Sequence, residues 1–227
     1  MRIRYEDINP AFIKGLVISL VVAHVVNWAV CYGLSISNGT LLFPNLFLSR
    51  AMQSDPARAV ACILFPTVAM LTGLVLLLRS ILLAARLRTK SQRVMWTMFN
   101  ICAGLSVFGM VVVPAVPYTL HKAIHLTAAF TVFISGFTIM FVSSFLDRSL
   151  KLPVVRWMKY LRYGLTALAL LGSVGFAVFF NYLDAVSSIS ELVAAGCMTA
   201  YICTLAHDSD FFSASSSEIA EKPAESA

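Results

Sequence analysis

Charge is scarce in this chain. Only 12% of its 227 residues are Asp, Glu, Lys or Arg, and acidic groups are the rarer sign, 11 against 17 basic. Soluble domains carry roughly a quarter charged residues, so a water-exposed globule is excluded. Histidine occurs four times and no HExxH helix is present, which removes the commonest hydrolytic zinc motif. The five cysteines, Cys31, Cys62, Cys102, Cys197 and Cys203, fall within or at the ends of apolar runs, with no CxxC and no loop pair. Neither a disulfide framework nor a zinc cluster is expected from them, and they read as small core residues. No internal repeat is visible, and no apolar segment is broken in the paired way that marks inverted-repeat transporters.

Apolar residues are what the chain has in quantity, 59% of the total, with a mean hydropathy of +0.83. A bilayer core about 30 Å thick needs about 20 apolar residues per helix. Six stretches reach that length, at 14–35, 58–80, 94–114, 123–146, 163–183 and 187–207. The fold expected is an all-α polytopic membrane protein, a bundle of six transmembrane helices over residues 14–212. A cytoplasmic segment at 1–13 precedes it, and a polar, Ser-rich, disordered cytoplasmic tail at 213–227 follows. The first stretch is longer than a signal-peptide core and "CYGLSISNGT" offers no A-x-A site, so it is expected to remain as an anchor.

The distribution of basic residues orients the bundle. With the amino terminus inside, every Lys and Arg except Arg50, Arg58 and Lys122 lies on the inner side. That asymmetry follows the positive-inside rule and places both termini in the cytoplasm. The net charge of +6 therefore reports topology, and no nucleic-acid partner is expected. The second inner loop, "DRSLKLPVVRWMKYLRY", interleaves cations with aromatic rings. Arg156, Trp157, Lys159 and Arg162 are the residues expected to meet anionic inner-leaflet lipid or a lipid-modifying protein partner. In the long outer loop, Asn38-Gly39-Thr40 is a glycosylation sequon close to the end of the first helix.

Ionisable groups at membrane depth are costly and become functional candidates by default. "HKAIH" sets His121 and His125 one turn apart on a helix face, and Glu191 and Asp184 approach the membrane from the same outer side. Two histidines and a carboxylate with an open position suit a hydrolytic zinc. His121, His125 and Glu191 would be the ligands, and with Asp184 they form the catalytic set of a lipid-modifying enzyme. The competing reading, which the lack of a complete catalytic constellation favours, has no cofactor. In it His125 and Glu191 make a polar contact between the fourth and sixth helices, while Asn27 and Asn100 make interhelical hydrogen bonds. A single haem between His24 and His125 is a further geometric option.

The second half carries a recognisable pattern. The third-helix segment "FNICAGLSVFGMVVV", the histidine-bearing entry to the fourth helix and "SSISELVAAGCMTAYICTLAHDSDFF" together resemble the DRAM-like family. That family comprises the damage-regulated autophagy modulators and their relatives in GPI-anchor lipid remodelling and plasma-membrane phosphoinositide signalling. Glu191 and Asp208, with Phe211 shortly after, stand at its signature positions around the last span. Pro44 and Ser49 match a proline and a serine of its first outer loop. Arg50 stands where an Asp is expected, and Leu192 where an aromatic usually follows the Glu. The resemblance implies a eukaryotic protein of endomembranes (lysosome, Golgi or ER) or plasma membrane, acting in lipid handling or autophagy. It implies no catalytic set.

Overall fold

The computed structural model describes residues 9–41, 46–180 and 182–207. The expected N-terminal segment up to residue 8, Pro44, Asp208, Phe211 and the tail lie outside the described residues. Among the described residues seven α-helices are formed: α1 (Pro10–Ser37), α2 (Leu48–Ala51), α3 (Ala57–Ala84), α4 (Lys90–Ala115), α5 (Lys122–Ser149), α6 (Arg156–Phe179) and α7 (Asp184–Thr204), the last continued by a 3-10 turn at Leu205–His207. All but α2 are long and apolar enough to cross a membrane. Large apolar side chains such as Ile18, Phe108 and Leu171 are 62–67% exposed on the outer surface. A water-facing protein rarely carries such a surface, and here it is the face turned to lipid. The protein is an integral, multi-pass membrane protein.

Local chemistry explains the helix ends. Asn9 caps α1 by accepting from the Ala11 amide at 2.8 Å, and Pro10 occupies the first turn where its missing N–H costs nothing. Thr89 and Gln92 form a reciprocal capping box at the start of α4. The Gln92 amide also donates to the Ser149 carbonyl at 3.3 Å, tying that start to the end of α5. α5 terminates through Lys151, whose φ is +51°. The Leu152 amide reaches back to the Asp147 carbonyl at 3.0 Å, and the Leu152 side chain is buried, as in a Schellman ending.

Spanning helices α1, α3, α4 and α5 pack in chain order, α6 and α7 form the most closely packed pair, and α7 closes lightly onto α1 and α5. In lipid the hydrophobic effect does not drive helix to helix, so close approach of small residues matters. A methyl group on Gly172 would lie 2.8 Å from the Ser190 carbonyl oxygen and 2.9 Å from the Ala194 nitrogen. Gly109 likewise admits Ala128 and Val132 of α5, whereas Gly104 and Gly196 face open space. Between α3 and α4, Ser80 donates to Asn100 Oδ1 at 2.6 Å, the interhelical bond expected of Asn100. Asn27 instead accepts from Cys31 of its own helix at 3.5 Å, and its Nδ2 has no partner among the described residues.

One expectation is corrected here. The fifth span begins at Arg156 rather than 163 and ends at Phe179, so the aromatic-basic segment is helix, not loop. In the long connection after α1, residues 46–52 pack against the bundle: Phe47, Leu48, Ala51 and Met52 are buried, as apolar side chains are outside water.

Candidate functional site

The polar side chains at depth collect at the two ends of the bundle. At the α2 end, Glu191 is 3% exposed and one carboxylate oxygen accepts the Leu48 amide at 2.7 Å. Ser49 and the Arg50 guanidinium face the same carboxylate. Tyr32 donates to the Leu46 carbonyl at 2.7 Å and Ser35 to the Ala51 carbonyl at 2.5 Å. The α2 segment is therefore held by α1 on one side and by a buried acid of α7 on the other. Arg50 lies 4.8 Å over the Phe47 ring and 3.7 Å from Asp184, both half-exposed in that ion pair.

His125 and Glu191 take separate partners. The His125 ring is buried with Nδ1 2.7 Å from the Val116 carbonyl oxygen and stacks edge-on against Tyr118. His121 is exposed at the entry to α5. Among the described residues no three His, Cys, Asp or Glu side chains are placed to hold a metal ion. The structure thus does not assemble His121, His125 and Glu191, nor does it add Asp184, which is turned to Arg50. The direct His125–Glu191 contact is absent as well. His24 lines a central cavity and His125 a different, smaller space beside Arg50, so the two rings do not face one common space. Asn38 is exposed at the C-terminal cap of α1, and the Thr40 hydroxyl is engaged with the Ser35 carbonyl at 3.0 Å.

At the opposite, basic end the structure brings together charged residues that lie far apart in the chain. Asp147 of α5 receives Arg79 of α3 on one oxygen and Arg162 of α6 on the other, the latter at 2.6 Å. All three are buried to 5% exposure or less. Arg162 is further held by α7, through Nε to the Thr204 hydroxyl and Nη2 to the Thr204 carbonyl, each at 2.9 Å. Its guanidinium lies 5.9 Å from the Tyr201 ring, whose hydroxyl meets Ser144 at 2.9 Å. Four helices are joined by this one cluster. Arg162 is therefore a structural cation, not the surface contact its place in "RWMKYLRY" suggested. The signal in the sequence was that Arg79, in "LVLLLRSILLAA", has apolar residues on both sides, which demands a buried partner.

Beside the cluster opens a polar cavity of about 430 Å³ lined by Asp147, Arg148, Lys151, Lys159, Arg162 and Tyr163. With Asp147 committed to the two arginines, the remaining charge around the opening comes from Arg148, Lys151 and Lys159, all exposed. Trp157 and Tyr160, 58% and 62% exposed, stand beside them on α6. Arg156 is exposed at the first turn of the same helix. Of the expected lipid-contact residues, Arg156, Trp157 and Lys159 share this surface, and Arg148 and Lys151 join them.

Residues 11–211 match the Frag1/DRAM/Sfk1/Cwh43P N-terminal domain. No curated protein and no solved structure matches the chain.

Proposed function

The chain belongs to the Frag1/DRAM/Sfk1/Cwh43P N-terminal domain family, and from that premise we propose that it is a non-enzymatic regulator or scaffold in lipid handling and membrane organisation. Its basic end, on this reading, faces the cytoplasm and holds the headgroup of an anionic lipid. The observation carrying the proposal is the cavity between α5 and α6, with Arg148, Lys151 and Lys159 at its mouth and lipid-facing aromatics beside it. Each cation near an anionic surface adds about 1 kcal/mol of attraction, and a concave site on a membrane-embedded frame focuses that attraction on one headgroup. The buried Arg79–Asp147–Arg162 cluster supports this by fixing the helix ends that carry the three cations. An eukaryotic endomembrane or plasma-membrane setting, and work in autophagy, GPI-anchor remodelling or phosphoinositide signalling alongside a lipid-modifying partner, are the contexts the family resemblance suggests.

An enzymatic reading, with hydrolysis at the α2 end, has less support. Its residues are committed elsewhere, His125 to the Val116 carbonyl and Glu191 to the Leu48 amide.

The test compares nanodiscs of phosphatidylcholine with and without phosphatidylserine, reading bound lipid by native mass spectrometry. The triple variant Arg148→Gln, Lys151→Gly and Lys159→Gln removes the charges and spares Arg162; glycine at 151 suits the positive φ. Retained phosphatidylserine should fall by about fivefold per cation removed. Equal retention by the variant and the parent chain would sink the headgroup site.

A further inference from the structure

A second cavity, of about 110 Å³, lies in the centre of the bundle between α1, α3, α4, α5 and α7. It extends from Ser49 and Glu191 near α2 to Tyr201 and Leu205 near the basic end. On α7 alone the span from Glu191 to Leu205 covers about 21 Å at 1.5 Å per residue. The space is therefore long and narrow. An apolar cavity of about 150 Å³ holds one benzene; this space is smaller, so a hydrocarbon chain enters it only as side chains along the walls move aside.

The walls are apolar and adaptable. Met52, Met110, Met140 and Met198 all line the cavity, four of the nine methionines in the chain. Unbranched thioethers rearrange around a flexible guest at little cost.

Three polar groups in these walls have no hydrogen-bond partner among the described residues: His24 Nδ1, Trp28 Nε1 and the Thr72 hydroxyl, with His24 8% and Thr72 3% exposed. The membrane interior supplies no water to satisfy such groups from outside, and leaving them unpaired is expensive. Each can donate to an oxygen. They also divide the cavity: towards the basic end the lining is Leu76, Met140, Leu205 and Tyr201, whose hydroxyl is engaged with Ser144, while towards α2 it reaches the polar Ser49 and Glu191.

We propose that this cavity binds one acyl chain of a membrane lipid, with the chain's carbonyl oxygen accepting hydrogen bonds from His24 and Thr72. The hydrocarbon runs past Leu76 and Met140 towards Leu205, and the polar remainder of the lipid points to Ser49 and Glu191. This site is separate from the basic cavity, and either can exist without the other.

The test is photocrosslinking of the full chain in nanodiscs carrying trace diazirine-labelled palmitic acid in one arm and diazirine-acyl phosphatidylcholine in the other, with adducts mapped by peptide mass spectrometry. Adducts on cavity-lining methionine peptides are expected. Labelling by palmitic acid alone identifies a free fatty acid, and labelling by both probes a glycerolipid chain. Thr72→Val, isosteric with the parent, should reduce cavity adducts by about fivefold, the effect of one lost hydrogen bond. Ser106→Leu, which fills the wall beside it, should abolish them. Adducts confined to outward-facing residues such as Ile18, Phe108 and Leu171, or cavity labelling unchanged in both variants, would overturn the proposal.

Discussion

Replacing Asp147 by alanine tests the central claim about the basic end, that one buried carboxylate holds two arginines from different helices. At about 4 Å and an effective dielectric near 20, each charge pair is worth about 4 kcal/mol of Coulomb energy. Removing Asp147 forfeits two such pairs and leaves Arg79 and Arg162, 4% and 1% exposed, close together with like charge. Part of this loss is offset because the acid no longer has to be desolvated. Removal of one partner from a buried ion cluster typically costs about 3–5 kcal/mol net. For a chain of this size, 1 kcal/mol moves Tm by about 2–4 °C, so Asp147→Ala should lower it by about 6–20 °C. The assay is thermal size-exclusion in detergent, followed by fluorescence. A second variant separates lost attraction from stranded charge. Asp147→Leu combined with Arg79→Leu leaves Arg162 with its Thr204 bonds and should be less destabilised than Asp147→Leu alone. A Tm within about 2 °C of the parent for Asp147→Ala, smaller than any cost expected of a buried pair, would refute the reasoning.

Two further outcomes follow from packing and from the α2 segment. Gly172→Ala forces α6 and α7 apart and should cost about 1–3 kcal/mol, whereas Gly104→Ala meets no atom within 4 Å and should be neutral or stabilising by up to about 1 kcal/mol; equal thermal shifts for the two would refute the close α6–α7 contact. Glu191→Ala leaves the buried Leu48 amide without its acceptor, a cost of about 1–3 kcal/mol, and should speed hydrogen exchange and proteolysis at residues 46–56, with Glu191→Gln intermediate; unchanged exchange would mean that α2 is held by its apolar contacts alone.

Much of the architecture was legible in the sequence. Six helices follow from the length of the apolar runs, and their starts from local signals such as Asn9-Pro10 and Thr89 with Gln92. The family was legible too, since short patterns around Glu191 and in the third helix pointed to it. The start of α6 was misread because its first turns are amphipathic. Met158 and Arg162 turn inward while Trp157, Lys159 and Tyr160 turn out, so a hydropathy average hides a helix that hydrogen bonding continues.

Tertiary structure decided the rest. The sequence by itself determined that the chain crosses the membrane six times, because the bilayer demands helices of a certain length and internally bonded backbone. It did not determine that Arg162 meets Asp147, that Glu191 reaches Leu48 across 143 positions, or that His24 and Thr72 share a cavity. In water, a helix shows which face is buried by the period of its apolar residues. In lipid both faces are apolar, so that period is weak and only the rare polar residues mark the interior. Their partners depend on how each helix is rotated about its axis, and small-residue contacts such as Gly172 against Ser190 and Ala194 set that rotation only once the helices have packed.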